Sequence, residues 1–160
     1  MEFIHGLDSL LFDGKAIGDI SSDSIDWGGD EPSTVKVWAA QKRSAPVTEI
    51  IESPGTDVLE FDLIQLNPAN LAQVMGGTAS TDGKKWDAPA KKIFLEGPVT
   101  IKAAEESAEV AIKKVKLIAY PKGKFGYSDV FKIHCKMTVM APEDGSSPYS
   151  FSDPTAVTEG

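Results

Sequence analysis

One cysteine, Cys135, stands in a chain of 160 residues, so no intrachain disulfide can form and the fold must hold by packing alone. That scarcity fits a protein made and assembled in a reducing cytoplasm. Histidine is almost as rare, with only His5 and His134 present. No apolar run approaches the roughly 18 residues needed to cross a bilayer. The N-terminal stretch MEFIHGLDSLLFDGK places acids before its short apolar patch and has no cleavage-like site, so no secretory signal is expected. Basic charge is also short, with 16 Lys and Arg against 24 Asp and Glu and a net charge of −8. A surface of that sign is poorly suited to holding nucleic acid, because phosphate contacts need clustered cations. G-x-S-x-G, H-E-x-x-H and C-x-x-C are all missing, so no catalytic or metal residues are assigned and no cofactor is expected.

Several partial patterns fall short of a site. Asp19, Asp23, Asp26 and Asp30 are spaced four, three and four apart, whereas an EF-hand loop needs oxygens at every second position around a glycine. The segment GGTASTDGKK only loosely resembles a phosphate loop: the Gly77–Gly83 spacing is one too long, and neither Ser nor Thr follows Lys84. His134 and Cys135 are neighbours on a predicted strand and therefore point to opposite faces, which rules out a Cys/His couple. Glu105 and Glu106 fall in a predicted turn and read as solvated. Trp27, Trp38, Trp86, Tyr120, Tyr127 and Tyr149 could form a sugar-stacking platform. For Trp27 and Trp86 an anchoring role, on their own domain or on a neighbouring subunit, fits better.

What the chain does have is alternation. Thr34–Arg43 sets Val35, Val37 and Ala39 on one face, and Pro46–Glu52 follows as a hairpin partner. Gly55–Leu66 turns Leu59, Phe61 and Leu63 inward and Glu60 and Asp62 outward. Lys91–Ala104 is interrupted at Gly97-Pro98, and Glu109–Tyr120 slips by one residue at Lys113-Lys114; both interruptions predict a bulge or bend. Val130–Met140 is the cleanest strand, with Phe131, Ile133, Cys135, Met137 and Val139 on one face. One helix interrupts the strands. Asn67 is its N-cap, Pro68 its first residue and Gly76 its stop, and Leu71, Val74 and Met75 form a single apolar stripe. A helix this short needs a sheet to pack on. The expected fold is a single mainly β domain over 1–160, a sandwich or barrel of two packed antiparallel sheets with one short flanking helix. Residues 1–14 are expected to form a flexible arm and 141–160 a flexible tail.

Charge is distributed unevenly. Residues 1–83 hold 14 acids and 4 bases, whereas 84–124 hold 5 acids and 10 bases. A bipolar surface of this kind suits head-to-tail association of identical copies, although solvated faces that happen to cluster would leave the same pattern.

The order GKAIGDIS, then VLEFDLIQLNPANLAQVMGGT, then VFKIHCKMTVMAP resembles the tail tube (major tail) proteins of long-tailed bacteriophages. Those in turn resemble the tube subunits of contractile tails and of type VI secretion systems. The resemblance spans roughly Lys15 to Pro142, and order and spacing carry it more than any single motif. It implies a structural virion protein that self-assembles into hexameric rings stacked as a hollow tube. DNA would pass through an acidic lumen without specific binding, with tape-measure and terminator proteins as further partners. Its place would be the virion tail, after assembly in the host cytoplasm, with no membrane partner. On that basis Phe3, Ile4, Leu7, Trp27 and Trp86 are candidate oligomer contacts, and Glu49, Glu60 and Asp62 candidate lumen acids. Leu71, Val74 and Met75 pack the helix. The inner tube of a contractile injection system and a glycan-binding β-sandwich are the alternative readings.

Overall fold

Residues 3–154 are described by a computed structural model. In chain order the strands are β1 (Ser9–Phe12), β2 (Lys15–Ala16), β3 (Asp26–Gly28), β4 (Ser33–Val37), β5 (Thr48–Ser53) and β6 (Val58–Leu63). The helix α1 (Pro68–Met75) follows, then β7 (Thr78–Ala79), β8 (Trp86–Asp87), β9 (Leu95–Lys102), β10 (Glu109–Lys122), β11 (Lys132–Val139) and β12 (Tyr149–Ser152). Strands hold 44% of the residues and helix 7%, so the expected mainly β fold with antiparallel sheets and one short helix is what the structure has.

The main sheet runs β2-β1-β9-β10-β11-β6-β3, with β12 added beside β10. Its inward residues form one core. Leu10 and Phe12 of β1, Leu59, Phe61 and Leu63 of β6, and Ile133, Cys135 and Met137 of β11 are all buried in the same cluster. β1 and β6 are separated by three intervening strands, so they share a core only because the sheet rolls onto itself. The stretch 15–21 completes the roll. It pairs with β1 through Leu11↔Ala16 and the Ile17 amide on Leu10 O, then with β6 through Ile20↔Leu63 and the Ser21 amide on Asp62 O. The two facing walls expected as packed sheets are thus halves of one hydrogen-bonded barrel.

Two sequence signals turn out to be one feature. Ile112 pairs with Val99 and Val115 with Gly97, so Lys113 and Lys114 together oppose the single residue Pro98. Proline has no N–H to offer, and a bulge on the facing strand absorbs the missing rung. Beyond this bulge β10 changes partner on its other edge: β12 pairs with Glu109–Ile112 and β11 with Val115–Lys122.

The helix is capped as its residues dictate. Asn67 Oδ1 accepts the Asn70 amide at 2.9 Å, and the Gly76 amide reaches Ala72 O. Val74 is fully buried in the barrel core, with Leu71 and Met75 packed against that core. Gln73 Nε2 donates to Lys15 O at 2.9 Å, tying the helix to the stretch that closes the barrel.

Two expectations are corrected. Residues 1–14 do not form one arm: Ser9–Phe12 is a core strand, because Leu10 and Phe12 supply apolar surface that only the interior can take. The tail expected over 141–160 contains β12, held on β10, and 155–160 lie outside the described residues. Val35 and Val37 share a face of β4 as their spacing predicts, with Ala39 beyond the strand, and every residue of β4 and β5 is exposed.

Candidate assembly surfaces

The β4–β5 hairpin is built from alternating residues that would ordinarily cover a core. Val35 pairs with Ile50 and Val37 with Thr48 on one face, and Lys36 pairs with Glu49 on the other. Among the described residues β4 and β5 pair only with each other, in a two-stranded sheet of their own. The root is braced. The Thr56 amide donates to Asp30 O, and the Asp30 amide to Thr56 Oγ1, both at 3.0 Å. Gly29 and Gly55 sit at this root with φ of 120° and 76°, and a Cβ on either would lie within 2.5 Å of facing backbone oxygen. The root thus requires glycine at both positions, and the hairpin leaves the barrel in one set direction. Trp38, just beyond β4, is also exposed.

The predicted contact residues fall in two places. Trp27, on β3, is half-buried, and its Nε1 donates to Asp57 Oδ1 at 3.1 Å. Its ring meets Tyr149 and Phe151 of β12 at centroid distances of 5.1 and 5.9 Å. Ile4 and Leu7 reach the same place, where with Trp27, Tyr149 and Phe151 they line an apolar groove of about 330 Å³. Phe3 is exposed. The segment around His5 is pinned, with the His5 amide on Ser107 Oγ and the Ala104 amide on His5 O. Trp86 lies elsewhere, against the end of α1, where its Nε1 donates to Gly76 O at 2.8 Å. Both tryptophans therefore anchor their own segments.

The candidate lumen acids all have partners. On the outward face of β6, Asp62 Oδ1 lies 2.8 Å from His134 Nδ1, and Glu60 Oε1 lies 3.7 Å from His134 Nε2. Lys132 and Lys136 flank His134 on the same face of β11, so this wall is mixed in sign. Glu49 accepts a hydrogen bond from Thr34 Oγ1 on the hairpin.

The near-miss motifs are self-contained. In GGTASTDGKK, Ser80 Oγ donates to Asp82 Oδ1 and accepts the Lys84 and Lys85 amides. The Ser80 hydroxyl and the Lys84 amide hold the Asp82 carboxyl below the usual range. Cys135 is buried, and lost solvation, with the Asp62 charge second, pushes its thiol up to about 12. Among the described residues no three His, Cys, Asp or Glu side chains come close enough to hold a metal ion, and no helix is long and apolar enough to cross a membrane.

Sequence reasoning missed the β10–β11 loop. Residues 121–130 are all exposed. Phe125 stacks on Phe131 with centroids 4.6 Å apart yet stays 92% exposed, and Tyr127 is fully exposed. Two aromatics spaced two apart among Gly, Lys and Ser, between two strong strands, were the available signal. No protein-family model matches the chain, and no curated protein is found as a relative.

Proposed function

We propose that this chain is a self-assembling tail tube subunit of a long-tailed bacteriophage, forming stacked rings around a conduit for DNA. One observation carries the reading: a paired apolar hairpin stands clear of a finished barrel. A two-stranded hairpin is at best marginally stable in water by itself. Val35, Val37 and Ile50 make an apolar face that the described residues leave uncovered. An exposed paired face on a rigid root is what a subunit presents to its neighbours. The net charge of −8 fits a conduit that repels phosphate. The carboxylates that do so need not be Glu60 and Asp62, which share His134.

Negative-stain electron microscopy of the purified protein at rising concentration tests this. Rings or tubes are expected for the wild type. A variant carrying Val35→Asp and Ile50→Asp should keep the far-UV signature of the barrel and remain dispersed. A wild-type particle that stays monomeric at every concentration overturns the reading.

A further inference from the structure

The loop at one end of the barrel carries exposed aromatics among cations, and the groove at the other is an apolar recess with acids beside it. β10 connects the two places, with Val110 lining the groove and Lys122 opening the loop. The intervening length of strand spans about 35–40 Å at 3.2–3.4 Å per residue, so the loop cannot fold back into its own groove. The loop offers an apolar projection, Phe125 and Tyr127, among cations. Lys122, Lys124 and Lys132 surround it, and Asp129, paired with Lys132 at 3.6 Å, is the loop's single acid. Lys92 extends the cationic end, its Nζ 5.6 Å from the Tyr120 ring.

The groove presents the opposite character. Its floor is Leu59, Ile101 and Val110, and its aromatic rim is Trp27, Tyr149 and Phe151. Asp26 lines it, Asp57 holds the Trp27 indole, and Glu109 lies beside Val110 on β10. Near that end the bases are Lys102, His5 and Lys113; His5 already faces Glu105 at 3.4 Å, and Lys113, bonded through its amide to Pro148 O, turns its Nζ to Ser146 Oγ at 2.6 Å.

We infer that the Phe125/Tyr127 loop of one copy seats in the Trp27/Tyr149/Phe151 groove of the next. The inference rests on the self-assembly reading, and charge complementarity selects a second copy as the occupant. A projection at one end and its receptor at the other make a heterologous contact, which repeats from copy to copy without saturating. Aromatic anchors entering a desolvated pocket carry most of the energy of such contacts, while the flanking charges set orientation and encounter rate.

Cysteine pairs test the contact directly, because Cys135 is buried and silent. Ser128→Cys and Ile4→Cys are both at exposed positions beside the proposed contact, so neither should disturb folding and both leave Phe125, Tyr127, Trp27 and Phe151 in place. Mixed under mild oxidation, with one variant mass-tagged, they should give a heterotypic disulfide dimer about tenfold in excess of either homotypic dimer, since a disulfide demands close, directed Cβ atoms. Adding Lys122→Glu and Lys124→Glu to the Ser128→Cys chain should abolish the excess. Phe125→Ala with Tyr127→Ala should raise the concentration at which oligomers form by about tenfold. Absence of the heterotypic excess, or insensitivity to the charge reversals, overturns the inference. Tubes by microscopy without the crosslink would leave the tube reading standing and remove this contact. The crosslink in open chains without rings or tubes would support this contact and remove the tube reading.

Discussion

His134 on β11 holds Asp62 on β6 at 2.8 Å, directly opposite in the strand register. This cross-strand pair lies on the outside of the barrel, with both side chains more than half sheltered. His134→Ala is expected to leave the fold intact and cost about 1 kcal/mol, the usual net worth of one hydrogen bond, or roughly 2–4 °C in Tm. Thermal unfolding checks this; an unchanged Tm would mean that the pair contributes nothing.

Trypsin should find the hairpin first. Lys42 and Arg43 sit at its exposed turn, remote from the barrel. The free subunit is expected to be cut there while its barrel stays folded, and assembled material to resist. Equal cleavage rates in both forms would place the hairpin outside any subunit contact.

The helix makes a graded prediction. Asn67→Ala removes the N-cap and should cost about 1 kcal/mol. Val74→Ala removes buried methyl groups from the barrel core and should cost about 1–3 kcal/mol. Denaturant unfolding of both variants decides the order, and a cap loss exceeding the core loss would contradict the burial of Val74 in the barrel core.

Cys135 gives a prediction with a definite sign in pH. Its thiol moves from an ordinary 9.0 to about 12 in the fold, from burial first and the Asp62 charge second. The folded state therefore keeps the proton that the unfolded chain gives up. The contribution is complete below about pH 9 and is lost as pH rises through about 12. Compared with Cys135→Val, the wild type should lose stability more steeply across that window. At pH 8, iodoacetamide should label Cys135 only as fast as the protein unfolds.

Strand alternation made most of the barrel legible. Leu59, Phe61 and Leu63, and Ile133, Cys135 and Met137, are buried as their spacing predicts. The cap residues placed α1 to the residue. The same signal found the β4–β5 hairpin but not its exposure, because alternation records only that one face is apolar. Whether that face meets its own core or another chain depends on where the root aims it, and Gly29 and Gly55 fix that through long-range contacts. Ser9–Phe12 was missed as a strand because it is only four residues long, beside acids and glycine. The groove was not legible because Trp27 and Tyr149 lie far apart in sequence and meet only once the barrel has rolled.

The closing stretch 15–21 has a further consequence for how copies can join. From β1 round to β6 each wall strand is bonded on both sides along part of its length, so an incoming extended chain cannot add itself across the main wall. Among the described residues, vacant backbone edges remain on β2, β3, the β4–β5 hairpin, the β7–β8 pair and β12. Any partner that grows the sheet by a strand must enter through one of these, and β3 and β12 meet at the rim of the Trp27 groove. Closure of the barrel thus leaves strand addition to these few short edges, two of which, β3 and β12, lie at the groove rim.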